Sequence, residues 1–157
     1  MTPHNLTLGY VPGATPAKWA RTWAQRHREI PLQLQTVVAA DAADAVRSGA
    51  FDLALLRLPT DTTGLAVIEL YREATVAVVP TDHLLTAADT VSAADLDGEP
   101  RLIPLDDVLD WPEAPGVPVD HRPETTKDAT ELVAAGMGVL IVPQSLARLY
   151  HRKDLVY

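Results

Sequence analysis

The sequence predicts an α/β fold built mostly from parallel strands. Three observations carry that expectation. Segments of strand periodicity and helix periodicity alternate from the start of the chain in the order strand, helix, strand, helix, strand. Proline and glycine stand at the joints between them. Near the end, Val139 to Val142 is a run of four apolar residues, the pattern of a strand buried on both faces.

The first strand candidate is Leu6 to Pro12, an alternating stretch rich in strand formers. Pro12 to Pro16 interrupts it, and Thr15 followed by Pro16 has the form of a helix start: a hydroxyl N-cap, then proline at the first helical position. The helix is expected from Pro16 to about Glu29. Trp19 and Trp23 lie one turn apart on it and form an aromatic ridge suited to a core or a subunit contact. Pro31 ends the helix, and Leu32 to Val38 alternates with period two before its final Val-Val pair. Asp41 is placed to cap a short helix from Ala42 to Ser48 that Gly49 stops, and Phe51 to Leu56 follows as a largely apolar strand. Crossovers of this kind are right-handed almost without exception.

Arg57 to Gly64 reads as a polar loop at the carboxyl end of that third strand. Leu65 to Tyr71 and Ala74 to Val79 are two further strand candidates joined at Arg72 and Glu73. Pro80 marks a boundary between lobes. Beyond it come a turn at Thr81 to Leu85, a one-turn helix from Ser92 to Leu96 and a short strand at Arg101 to Pro104. Leu105 to Glu124 contains Pro112, Pro115, Pro118 and Pro123 and is expected to be extended or irregular. Thr125 opens the next helix, whose apolar positions Ala129, Leu132, Val133 and Gly136 sit three and four apart. Gly136 and Gly138 end it ahead of Val139 to Pro143. Ser145 to Tyr150 reads as a last short helix.

Composition excludes several functions. The 157 residues carry 13 Lys and Arg against 21 Asp and Glu, a formal charge of −8, which is no footprint for phosphate backbones. With no cysteine, disulfides, thiolate metal sites and cysteine nucleophiles are ruled out. Met1 to Tyr10 holds no apolar run behind a positive segment, and no stretch reaches the roughly 20 apolar residues of a membrane span. A soluble cytoplasmic protein is therefore expected.

Catalytic patterns are missing as well. The three serines, Ser48, Ser92 and Ser145, sit in no G-x-S-x-G or S-x-x-K context. His4, His27, His83, His121 and His151 form no pair at helical spacing, so no helical metal site is expected. Gly136-Met137-Gly138 lies after a helix and before a strand, the reverse of a dinucleotide loop, and reads as a helix stop. No catalytic residue, metal or cofactor is assigned.

A binding site is better supported. Ligands of open α/β sheets sit beyond the carboxyl ends of the strands, where helix N-termini offer amide donors and partial positive charge. Gly13, Ala14 and Thr15, then Arg57 and Leu58, then Thr125 and Thr126 all fall at such positions. Together they suit a small carboxylate or similar anion, although each threonine taken alone is better explained as a plain N-cap.

In segment order the chain resembles the effector-binding domain of LysR-type transcriptional regulators. The resemblance rests on L-T-L-G-Y-V-P-G at 6 to 13, G-A-F-D-L-A-L-L-R at 49 to 57, V-A-V-V-P-T-D-H-L-L at 76 to 85, V-S-A-A-D-L-D-G-E-P at 91 to 100 and L-V-A-A-G-M-G-V-L-I-V-P-Q-S at 132 to 145. It implies the two-lobed fold of type 2 periplasmic binding proteins, with residues 1–79 as the first lobe, 80–142 as the second and 143–157 as a segment returning toward the first. The effector would lie between the lobes, on Gly13, Ala14, Thr15, Arg57, Leu58, Ile103, Thr125 and Thr126. The resemblance also implies a homodimer through the first helix, which gives Trp19 and Trp23 a contact role. Family members carry an N-terminal winged helix-turn-helix and further closing elements of the first lobe, neither recognisable here, so DNA would be reached only through such a segment and the first lobe is expected to be incomplete. Rival readings are a solute-binding protein of the same fold, an enzyme on it, and a dimerisation module without ligand.

Overall fold

The parallel strands expected at the start of the chain form as predicted, but each is short. The computed structural model describes residues 5–157, so His4 lies outside the described residues. It divides into two compact units, one ending at Tyr71 and the other covering Arg72–Tyr157.

The first unit contains β1 (Leu6–Tyr10), α1 (Ala17–Arg26), β2 (Leu32–Thr36), a single 3-10 turn at Ala39–Asp41, α2 (Ala42–Arg47) and β3 (Leu53–Leu55). Its sheet has the order β2-β1-β3. Both pairings are parallel, with Leu8 opposite Leu34 on one side and Leu53 on the other. Alternation shapes β2, where Leu32 and Leu34 are half-buried and the intervening glutamine is exposed. Among the described residues, Leu8, Val11, Ala42, Ala43 and Phe51 are the buried hydrophobics of this unit. Phe51 lies against Gly9 so closely that a Cβ at Gly9 would come within 2.6 Å of its ring. Glycine in the middle of β1 is thus what lets a large aromatic side chain close over the strand.

Several local expectations are corrected here. Pro16, not Thr15, occupies the N-cap position of α1, and no side chain caps that helix. Asp41 likewise makes no side-chain cap, because the 3-10 turn leads directly into α2. Leu65 to Tyr71 is not a strand: it has no pairing partner among the described residues and exposes Ile68 at 82% and Tyr71 at 68%. A period of two makes a strand only where a neighbouring strand takes up its backbone groups.

The second unit contains β4 (Thr75–Pro80), 3-10 turns at Leu84–Ala87 and Ala94–Leu96, β5 (Pro100–Leu102), β6 (Val117–Pro118), α3 (Thr126–Ala134), β7 (Val139–Pro143), α4 (Gln144–Leu149) and β8 (Leu155–Val156). Its sheet runs β6-β5-β7-β4-β8. β5 is parallel to both β6 and β7, while β4 is antiparallel to β7 and β8. The division between units falls at Tyr71, ahead of Pro80, since β4 pairs with β7 and β8 and belongs with them. The same pairing keeps 143–157 in the second unit, where the expected return segment supplies α4 and an edge strand.

All five residues of β7 are buried. Leu140 and Val142 join Val78, Leu102, Ala129, Val133, Leu146 and Leu155 on one face. Val139 and Ile141 join Val79, Leu96 and Ala114 on the other. Arg152 ties the periphery together, pairing with Glu131 of α3 and making a two-pronged contact with Asp154 at 2.9 and 2.8 Å.

Gly9→Ala is expected to destabilise the first unit by about 1–3 kcal/mol through overpacking against Phe51. In urea unfolding, Gly9→Ala combined with Phe51→Leu should then cost less than the two single changes added together. Asp61, Asp95 and Asp154 are all held below the ordinary carboxylate value of 3.8, by Thr63, by Ser92 and by Arg152 respectively. A depressed folded pKa means that their stabilisation is present above the unfolded value and disappears as pH falls through the folded one. Stability should drop below about pH 3.8, and Asp95→Asn should flatten that acid limb in a pH series of unfolding midpoints.

Candidate functional site

In the first unit, the carboxyl ends of β1 and β3 lie side by side because the strands are parallel neighbours, and the Val11 amide donates to the Leu55 carbonyl at 3.1 Å just past them. The chain leaving β1 turns at once: the Ala14 amide donates to Val11 O at 3.1 Å, and Gly13 takes a φ of 88° that favours glycine. Thr15 is exposed, and its hydroxyl is not spent on capping α1. The chain leaving β3 carries Arg57, half-buried with Nε and Nη1 shielded from solvent, and then exposed Leu58. Gly13, Ala14, Thr15, Arg57 and Leu58 are therefore brought to one edge of one sheet.

The second unit gathers the remaining candidates. Thr125 is the N-cap of α3: its hydroxyl oxygen accepts from the Asp128 amide at 3.1 Å and its proton goes to the Asp128 carboxylate at 2.6 Å. This is a side-chain N-cap whose hydroxyl is in turn held by the carboxylate three residues on. Thr126 is buried and donates to Asp106 at 2.8 Å. Ile103 is linked to the same cluster through Arg122, whose Nε donates to Ile103 O at 3.2 Å and whose Nη2 donates to Pro104 O at 3.0 Å. The Leu105 amide donates to Pro123 O at 2.9 Å, closing the end of β5 onto the approach to α3.

Both threonine hydroxyls are thus committed to carboxylates within the chain. What this end of α3 offers a ligand is its first-turn amides at Thr126 and Lys127, together with Ile103 as an apolar wall. Three participants were not assigned from sequence: Asp106, Arg122 and Tyr150. Burial pushes the Tyr150 phenol up, and the Asp106 carboxylate adds to the shift. Asp106 is an exposed loop acid, as the sequence suggests, and its contact with Thr126 across 20 residues has no local sequence signal. Among the described residues, no group of three or more His, Asp or Glu is placed to hold a metal ion.

No residue of α1 is buried. Trp23 stacks on His27 with ring centroids 4.3 Å apart and donates from Nε1 to Ile30 O at 2.7 Å. Its aromatic contact is therefore with His27 rather than within a ridge shared with Trp19. Trp19 is 49% exposed.

The LysR substrate binding domain family model matches residues 5–157. The chain belongs to that family. Among curated relatives, the Hca operon transcriptional activator HcaR of Escherichia coli (strain K12) is 28% identical over 152 residues, covering 88% of this chain and 51% of HcaR. The regulator CatR of Pseudomonas putida is 32% identical over 139 residues, covering 82% of this chain and 47% of CatR. The chain thus spans about half the length of the curated relatives it matches. Among solved structures, the BenM effector-binding domain with its effector benzoate aligns at a TM-score of 0.80 and 20% identity, covering 100% of this chain and 77% of BenM's. Oxidised OxyR aligns at 0.78 and 22%, covering 98% and 78%. The fold is that of LysR substrate-binding domains, the type 2 periplasmic-binding-protein architecture, as the sequence predicts. No helix among the described residues is long and apolar enough to cross a membrane.

Thr125→Ala should cost about 1 kcal/mol of stability by removing the N-cap of α3, and Thr125→Ser should recover most of it. Urea unfolding followed by far-ultraviolet circular dichroism reads both changes.

Proposed function

We propose that this LysR effector domain senses a small anionic metabolite, performs no catalysis, and acts as a homodimer within a cytoplasmic transcriptional regulator. The observation that carries this reading is the half-buried guanidinium of Arg57 at the same sheet edge as the Gly13 to Thr15 turn. A guanidinium fork matches a carboxylate in shape and charge. The solved BenM domain, similar in fold, holds benzoate, which is a carboxylate. Within the first unit Leu58 is a further apolar contact, and within the second the first-turn amides of α3 are donors beside apolar Ile103. Trp19 and Trp23 form the dimer contact, in keeping with a helix that buries none of its residues. DNA is reached through a helix-turn-helix segment of the full regulator. The signal is a shift in population: the ligand biases the dimer by its difference in affinity between two arrangements, and by no more than that.

Calorimetric titration with a panel of small aliphatic and aromatic carboxylates, benzoate included, should give saturable binding to at least one member. Arg57→Ala should weaken that binding by about tenfold or more, the loss expected for a charged hydrogen bond of roughly 1.5–3 kcal/mol. Trp19→Ala should lower the dimer fraction in sedimentation equilibrium. Silence across the panel, or unaltered affinity in Arg57→Ala, contradicts the anion reading.

A further inference from the structure

The pairing that holds β3 ends at Leu55, whose carbonyl also accepts from the Val11 amide. Arg57 and Leu58 follow in the loop, so the sheet alone does not fix the residues on which effector binding is proposed to rest. What grips that loop is Arg47, at the end of α2. Its Nε donates to Thr63 O at 2.9 Å. Its Nη2 donates to Asp61 O and lies 3.4 Å from Asp61 Oδ2, while its Nη1 pairs with Asp44 one turn back on the helix. Every nitrogen of the guanidinium is thus engaged, Nη1 on its own helix and the other two on the loop.

The base of this clasp is firm. Ala42 and Ala43 bury the start of α2, and the Phe51 amide donates to Ala45 O at 3.2 Å, tying the helix to the residue that closes over Gly9. The loop is folded on itself around the gripped residues: the Thr63 amide donates to Asp61 Oδ1 and the Leu65 amide to Thr62 O, both at 2.9 Å. The Arg47 side chain is 28% exposed, and its planar fork meets these acceptors without giving up much freedom. A lysine, with one nitrogen, cannot span Asp44 and the carbonyls of Asp61 and Thr63 together.

We propose that Arg47 is a positioning residue for effector binding, acting through Arg57. By holding residues 61–63 against α2 it fixes the far end of the loop that carries Arg57 and Leu58, so that the Arg57 guanidinium meets an anion from a loop already in place. Without that hold the loop has to be ordered at the moment of binding, which lowers affinity. Arg47 itself, with each nitrogen engaged, does not touch the ligand. The assignment rests on the effector reading of Arg57.

The test compares Arg47→Ala, Arg57→Ala and the double variant by calorimetry. Its probe is benzoate or, where the wild-type chain does not take it, the carboxylate of the panel that it binds most tightly. Arg47→Ala should weaken binding by about threefold or more, and the double variant should bind no more weakly than Arg57→Ala alone, because residues that act through one another are not additive. In amide hydrogen exchange without ligand, Thr63 and Leu65 should lose protection in Arg47→Ala while the β1 amides keep theirs. Arg47→Lys keeps the charge but not the fork, and should loosen the same amides to a smaller degree; it also replaces Arg47→Ala in every comparison should that variant fail to fold. Additive losses, unchanged exchange at Thr63 and Leu65, or full wild-type behaviour in Arg47→Lys each overturn the proposal. Binding that is indifferent to Arg47→Ala overturns this assignment alone, whereas silence of the wild-type chain across the whole panel overturns the effector reading and this assignment with it.

Discussion

The second unit depends on β7. It pairs with β5 on one side and β4 on the other, and its side chains alternate between the two apolar clusters on the faces of the sheet. Val139, Leu140, Ile141 and Val142 are all buried, and full burial of an aliphatic side chain contributes about 1.5–3 kcal/mol. A strand so placed cannot slip by one residue without exchanging every side chain between the faces. Its entry is equally constrained, since a Cβ at Gly138 would lie 2.5 Å from the carbonyl oxygen of Pro100. The close approach of β5 and β7 thus begins at a residue that has to lack a side chain.

The candidate contacts inherit their positions from this arrangement. β5 is aligned by β7, so the carbonyls of Ile103 and Pro104 that hold Arg122 are fixed by the sheet. α3 is fixed from below by Ala129 and Val133 and from its start by the Thr125 cap. The first-turn amides of α3 and the end of β5 are therefore held in a fixed relation. In the first unit the same logic is simpler: two parallel strands end together, and the turns after them supply Gly13 to Thr15 and Arg57.

The strands of the first unit, α3 and β7 were legible in the sequence because each is a periodic pattern long enough to declare its buried face. Leu65 to Tyr71 misled for the same reason, since its apolar content says nothing of whether a partner strand exists. The capping assignments failed where one residue decides the outcome: Pro16 displaced Thr15, and the turn at Ala39–Asp41 displaced an Asp41 cap. Thr125 succeeded because Asp128 stands three residues later, a local signal. Asp106 and Arg122 were invisible because their partners are distant in sequence, at separations of 20 and up to 19 residues.

The two units differ in how much they bury. Among the described residues the first holds five buried hydrophobics around short, half-exposed strands, whereas the second closes both faces of β7. Their backbone amides should therefore not share one protection against solvent hydrogen exchange. Those of β7 and its neighbours open only with the whole second unit, while those of β2 open through smaller fluctuations. A single unfolding free energy assigned to this chain would average two cooperative events of unequal depth.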